Sequence, residues 1–160
     1  MIAVLNRTYE TQICSIARTL EVVGERWTLL VLRDVLRGTR RFDELIQSLG
    51  VARNVLSDRL DRLVAHGLVE REPYQDHPPR FEYHPTAKGS ELVVVLLGLM
   101  HWGDRHLAGL AGPPVLTEHR DCGGAVVEQL ACGSCGRMVP PDQLITRPGP
   151  GARAPDHAAV

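Results

Sequence analysis

Four residues toward the C-terminus have the types and spacing of a metal site. His119 and Cys122 form one pair with two intervening residues, Cys132 and Cys135 form another, and a glycine follows each, at Gly123 and Gly136. A Cys-x-x-Cys turn closed by glycine lets backbone N–H groups face the sulfurs while both side chains converge. Two such turns supply four soft ligands, the tetrahedral set that zinc takes. The set leaves no open position, so the expected role of the zinc is structural. Three alternatives stand beside it: a redox dithiol, a Cys132–Cys135 disulfide, and unliganded cysteines in a loop. The redox reading wants a helix after the second cysteine, and Pro140 and Pro141 oppose one. Cys14 stands apart from this group, near the start of a predicted helix, where the dipole lowers a thiol's pKa. It is a candidate redox sensor, or else a small buried helix residue.

A second set of residues has the chemistry of base and phosphate contact. Arg53, Asn54, Ser57 and Asp58 lie on one polar face of a predicted helix. Arg is the usual reader of guanine and Asn of adenine. Arg40 and Arg41 precede the helix before it, where they can meet phosphate, which fixes position without reading sequence. Arg80 and His77 sit at the edge and tip of a predicted hairpin, within reach of an adjacent groove. The bland reading of these residues is a solvated surface. Arg59 follows the buried Leu56 and is expected to act structurally, paired with Asp43 or Glu44.

These side chains need elements to hold them. Ile13, Ile16, Ala17, Leu20 and Val23 recur at helical spacing and stop at Gly24. A helix over 27–37 is apolar around most of its circumference and is expected to be central. A short helix over 42–49 buries Phe42, Leu45, Ile46 and Leu49; the next, over 51–66, turns Ala52, Leu56, Leu60 and Leu63 inward. The period then changes from 3.6 to 2. Strands are expected over 68–74 and 80–84, joined by the Pro-rich turn 75–79, with Phe81 and Tyr83 on one face. One long helix is expected from Thr86 to about Ala111. Its stretch Leu92–Met100 is apolar on nearly every face, which points to a subunit interface. This is the order of a winged helix–turn–helix, with the 51–66 helix as the one offered to a major groove.

Several motifs, in order, resemble the HxlR-type regulators, relatives of the MarR group. They are Gly24-Glu25-Arg26-Trp27-Thr28-Leu29-Leu30-Val31-Leu32-Arg33, Arg41-Phe42-Asp43-Glu44-Leu45, the run from Leu56 to Val69, and Pro79-Arg80-Phe81-Glu82-Tyr83-His84-Pro85-Thr86-Ala87-Lys88-Gly89. The resemblance covers roughly residues 14–110. It implies a homodimeric DNA-binding transcriptional regulator of bacteria, with a dimer interface from the first and last helices. Some members sense oxidants or electrophiles through a cysteine near the position of Cys14.

Composition bounds the reading. The chain has 160 residues, 18 basic and 19 acidic, for a net charge of −1, so it carries neither a polybasic coat nor an acidic solvating tail. Aromatics at 4% argue against single-strand binding on stacked rings. Residues 33–62 hold seven Arg against five acids, a local excess of about +2. No apolar run approaches the ~18 residues of a membrane span. No secretory signal pattern is visible either, and the expected location is cytoplasmic. No Ser/His/Asp set or phosphate loop occurs, and His101 and His106 are poorly spaced as two ligands on one helix face, so an enzyme is not expected.

The expected fold is mainly α with a small β-hairpin. It comprises an N-terminal arm (1–13), a winged helix–turn–helix domain (14–112), a zinc-ribbon-like appendage (113–146) and a disordered tail (147–160). The expected function is sequence-specific binding of double-stranded DNA as a homodimer on a palindromic operator, responsive to redox state or an effector ligand. The first helix and residues 86–111 are expected to form the interface. The alternative is a protein-interaction adaptor without DNA binding.

Overall fold

The computed structural model describes residue 9 and residues 14–152. The expected arm, apart from Tyr9, and the tail over 153–160 lie outside the described residues. Two compact units are present, Met1–Leu96 and Leu97–Val160.

The first unit is built from α1 (Ser15–Val23), α2 (Thr28–Leu36), α3 (Phe42–Leu49), α4 (Arg53–Ala65), β1 (Val69–Gln75), β2 (Arg80–Pro85) and a single turn, α5 (Ala87–Ser90). As its all-round hydrophobicity requires, α2 is central, with Val31, Leu32 and Val35 fully buried. Leu45 of α3, Leu56, Leu60 and Leu63 of α4, Val69 of β1 and Tyr83 of β2 close over it. Val51, and not the expected Ala52, completes the inward set at the head of α4. Ala52 is instead the extended N-cap and is exposed. One charge enters this core. Asp34 is buried, and its carboxylate accepts from Arg33 Nε at 2.7 Å and from Ser48 Oγ at 2.6 Å, tying α2 to α3. A buried carboxylate persists only when its lone pairs are matched in this way.

The helix–turn–helix corner follows from local chemistry. The Glu44 carboxylate reaches back to the Arg41 backbone N–H at 3.3 Å, which seats the first turn of α3. Gly50, at φ +63°, ends the helix in the left-handed region. Only Val51 and Ala52 separate it from the start of α4. The wing is an antiparallel pair with Val69 opposite Pro85, Arg71 opposite Tyr83 and Pro73 opposite Phe81, and its register is irregular between Pro73 and Gln75. It is fastened to the helices by a bridge from Arg41 to Glu82 and by the Tyr83 N–H donating to the Arg40 carbonyl at 2.9 Å.

The helix expected from Thr86 onward is interrupted. α5 is capped by Thr86, whose hydroxyl accepts from the Gly89 N–H at 3.1 Å and donates to the Gly67 carbonyl at 2.7 Å. Gly89 lies against the backbone of Leu68; a Cβ there would stand 2.0 Å from the Leu68 carbonyl oxygen. After Glu91 and Leu92 the chain resumes as α6 (Val93–Leu107), and a 3₁₀ turn covers Gly109–Ala111. α6 buries none of its residues, and Val94, Leu99, Trp102 and Leu107 are all more than half exposed.

The boundary between the units falls inside α6 rather than at the composition change near residue 112. His101 and Arg105 on the later turns of α6 both bond Glu128, so this part of the helix packs with the segment that follows it. That segment carries short bridges, Glu118 to Ala125 and Ala131 to Met138, and one 3₁₀ turn at Pro141–Gln143. The helix a redox dithiol wants after Cys135 is absent, as the two prolines require. No helix among the described residues is long and apolar enough to cross a membrane.

Candidate nucleic-acid interface

The face formed by the start of α4, the start of α3 and the wing is where the cationic side chains gather. Arg53 is the first residue of α4 and is well exposed. Its Nη1 donates to Asp43 Oδ1 at 2.8 Å, and its guanidinium lies 4.8 Å over the Phe42 ring. Arg41 is the N-cap of α3; its Nε donates to Glu82 Oε1 at 2.8 Å, and it stacks over Tyr74 at 4.7 Å. The hydrogen bond and charge of Glu82 push the Arg41 pKa up further, so this cation is permanent. Arg71 lies 5.0 Å over Phe81 and 3.9 Å from Asp61.

Between these groups is a cleft of about 500 Å³, lined among others by Asp43, Arg53, Ser57, Arg71, Tyr74 and Arg80. Each aromatic ring under an arginine fixes the direction of its guanidinium. Asp43 and Asp61 are exposed, Glu82 is half-buried, and exposed pairs contribute only ~0–1 kcal/mol each. A phosphate can displace them. The arrangement is a set of aimed cations, loosely held by carboxylates.

Of the residues singled out in the sequence, the cleft brings together Arg53, Ser57 and Arg80, with Arg41 at its rim through Tyr74. Asn54 and Asp58 are exposed on the first turns of α4 but do not line the cleft. His77 is exposed at the wing tip, where Gln75 Nε2 donates to the His77 and Pro78 carbonyls and shapes the turn. Arg40 is placed differently from a phosphate contact. Its Nη1 donates to the Val35 carbonyl at 2.6 Å and the Tyr83 carbonyl at 3.4 Å, so the side chain ties α2 to the wing.

Arg59 is structural as expected, but with other partners: Asp58 at 3.3 Å and Glu25 at 3.6 Å. It lies on the side of α4 that faces the turn before α2, and Asp43 is taken by Arg53. Arg71, Tyr74 and Asp61 were not anticipated. The signal for Arg71 was the hairpin register, which sets Phe81 diagonally across from it. Asp61, further along the polar face of α4, lines the cleft and lies near Arg71.

Cys14 is the extended N-cap of α1 and is exposed, not buried. The backbone N–H groups of Ala17 and then Ile16 hold its thiol below the ordinary value, by stabilising the thiolate. In the second unit, His119 Nδ1 lies 3.3 Å from Cys122 Sγ. The Cys132 thiol is pulled down by the N–H groups of Cys135 and Ser134 and by the Cys135 thiol. The two pairs are each formed, but among the described residues no three His, Cys, Asp or Glu side chains are gathered at one point where they could hold a metal.

The HxlR-like helix-turn-helix family matches residues 22–110. An uncharacterized HTH-type transcriptional regulator of Mycobacterium tuberculosis is 44% identical over 140 residues, which covers 88% of this chain and 89% of that one. A solved structure from Pseudomonas aeruginosa, assigned as a transcription factor, is 45% identical, covers 88% of this chain and 95% of its own, and has a TM-score of 0.63. The redox regulator HypR in its oxidized form is 31% identical, with a TM-score of 0.53 over 58% of this chain and 97% of its own. The family match spans the winged fold whose cleft gathers the cations, and the relatives of similar length are regulators, not enzymes. This chain belongs to the HxlR-like helix-turn-helix family of transcriptional regulators.

Proposed function

We propose that the protein is a sequence-specific regulator that binds a palindromic duplex operator as a homodimer. The observation that carries this is the set of arginines around the cleft between α4 and the wing, of which Arg41, Arg53 and Arg71 are each stacked on an aromatic ring and paired with a carboxylate. α4 enters the major groove. Arg53 and Asn54 read base edges, Ser57 and Asp58 supply further polar contacts, and Arg41 and Arg80 hold phosphates on either side. His77 at the wing tip reaches the neighbouring backbone or groove. α1 and α6 form the dimer, which spaces the two recognition helices by about one turn of duplex, roughly 34–36 Å.

The regulator responds to oxidants through Cys14. A peroxide-class oxidant takes the Cys14 thiolate to sulfenic acid and is itself reduced to hydroxide. The Cys14 thiol of the second protomer then attacks that sulfur, forming a disulfide and releasing water. The support for this reading is an exposed, acidified thiol at the N-terminus of a proposed dimer helix, together with the similarity to HypR. Selection of bound duplexes from genomic DNA, with and without peroxide, tests both parts. The expected result is a recurring inverted repeat whose recovery changes with oxidant. Absence of any enriched sequence, with affinity insensitive to salt, overturns the DNA reading and favours the adaptor.

A further inference from the structure

Residues 117–126 and 130–139 are two copies of one turn. The Val126 N–H donates to the Thr117 carbonyl at 2.9 Å, and the Val139 N–H to the Leu130 carbonyl at 2.7 Å. The His119 N–H donates to Gly124 at 2.8 Å, and the Cys132 N–H to Arg137 at 2.9 Å. The Gly123 and Gly136 N–H groups each donate at 2.8 Å to the carbonyl four residues back, His119 and Cys132. Both glycines have positive φ, +66° and +70°, and each turn carries one bridge, Glu118–Ala125 and Ala131–Met138. The register that superimposes these bonds also superimposes His119 on Cys132 and Cys122 on Cys135. Little else of the two sequences coincides, apart from the glycine and the closing valine. What the two turns share is the backbone of a ligand knuckle and its ligand positions.

Apart from the bonds of Glu128 to His101 and Arg105 of α6, this segment has no core to hold it. No residue from 113 to 152 is buried, and Val115, Leu116, Val127, Leu130 and Met138 are exposed. Isolated two-stranded turns are marginal in water, and pieces of roughly 40 residues without a core need a metal, a disulfide or a partner. The ligand spacing within the first turn suits a metal. His119 Nδ1 and Cys122 Sγ are 3.3 Å apart. Zinc bond lengths of about 2.0 Å to nitrogen and 2.3 Å to sulfur put two tetrahedral ligands about 3.5 Å apart. The other imidazole nitrogen, Nε2, faces Asp121 Oδ2 at 3.6 Å, beyond hydrogen-bond distance. The similarity to the Mycobacterium relative covers 88% of this chain, so it extends beyond the winged helix into this segment.

We infer that the twin turns are the two halves of a structural zinc site. One Zn²⁺ is held by His119 Nδ1 and the sulfurs of Cys122, Cys132 and Cys135. Each turn presents its pair ready-made, and the metal draws the pairs together. On binding, three thiols release their protons to solvent and no electron is transferred. Four protein ligands leave no open position, so the site staples the segment and performs no chemistry.

The test uses the full chain, purified under reducing conditions without chelator. Elemental analysis is expected to give about one zinc per chain. Cobalt exchanged for zinc is expected to show tetrahedral visible bands and thiolate charge-transfer absorption. Cys122→Ser and Cys132→Ser each lose both, while His119→Cys keeps the metal and raises the charge-transfer intensity by about a third, as three thiolates become four. Cys14→Ser leaves the stoichiometry unchanged. The winged helix has its own core, so its thermal transition reports that each variant is folded. Zinc-free protein with three freely titrating C-terminal thiols overturns the inference. So does a Cys132–Cys135 disulfide that survives the reductant, one zinc per two chains, or metal retained by Cys132→Ser.

Discussion

Arg53 is a cation held ready by two neighbours, a carboxylate at 2.8 Å and an aromatic face at 4.8 Å. The ring sets its direction, and in the proposed complex Asp43 would compete with DNA for it. Arg53→Ala is therefore expected to weaken operator binding by ~1–3 kcal/mol and to relax preference at one base position. Asp43→Asn is expected to act in the opposite sense, strengthening non-specific duplex binding by up to ~1 kcal/mol. Fluorescence anisotropy with operator and scrambled duplexes reads both; equal affinities in all variants would remove Arg53 from the interface. Cys14 makes a second residue-scale prediction. Its pKa is depressed in the folded chain, so the thiolate forms at lower pH there than in the unfolded chain, where the ordinary value is 9.0. The alkylation rate plotted against pH is expected to reach its midpoint below that value, and the shift to vanish in denaturant. Cys14→Ser is expected to bind operator normally and to ignore peroxide.

At the scale of elements, two contacts carry weight. Gly89 lets α5 sit directly on the backbone of Leu68, at the junction of α4 and the wing. Gly89→Ala is expected to cost ~1–3 kcal/mol, by overpacking that backbone cannot relieve. Thermal unfolding checks this, and an unchanged Tm would mean the turn shifts freely. In the second unit the Glu128 carboxyl is held down at about 2, first by its hydrogen bond to His101, then by its own backbone N–H and by Arg105. The folded value lies below the ordinary 4.5. The contribution to stability is thus fully present above pH 4.5 and is lost as pH falls through about 2. Trp102 directly follows His101 on α6. Its fluorescence is expected to change across that acid window, and Glu128→Gln to abolish the change.

At the scale of the molecule, net charge and exposed apolar surface decide how the regulator works. With a total of −1, bulk attraction to DNA is weak, and affinity depends on placing several arginines at once. A dimer presents each such set twice. The long helix that would build it, α6, has no buried residue, and Ile16 on α1 is 72% exposed. Leu99→Arg is expected to give a monomer by analytical ultracentrifugation and to lower operator affinity ~10²-fold or more, because the second half-site no longer benefits from tethering. A monomeric wild-type chain that binds a single half-site would overturn the dimer.

The linear chain by itself determined the element order, the central helix, the helix–turn–helix corner and the hairpin. Each rests on a local cause: a hydrophobic period, a glycine past a helix end, a Pro-rich turn. The polar face of α4 was legible for the same reason, since a 3.6-residue period assigns faces without any knowledge of neighbours. The tertiary structure decided what those side chains do to one another. Arg40 became a tie to two carbonyls, Arg59 took Glu25 in place of an acid on α3, and Arg71 and Tyr74 joined the cleft from a strand. The break between α5 and α6 also belongs to packing, as does the likeness of the two C-terminal turns, whose common backbone pattern emerges only when their hydrogen bonds are superimposed. Periodicity fixes which face a residue occupies; which residue of another element stands opposite depends on register and on close approach, and those arise only when the elements pack.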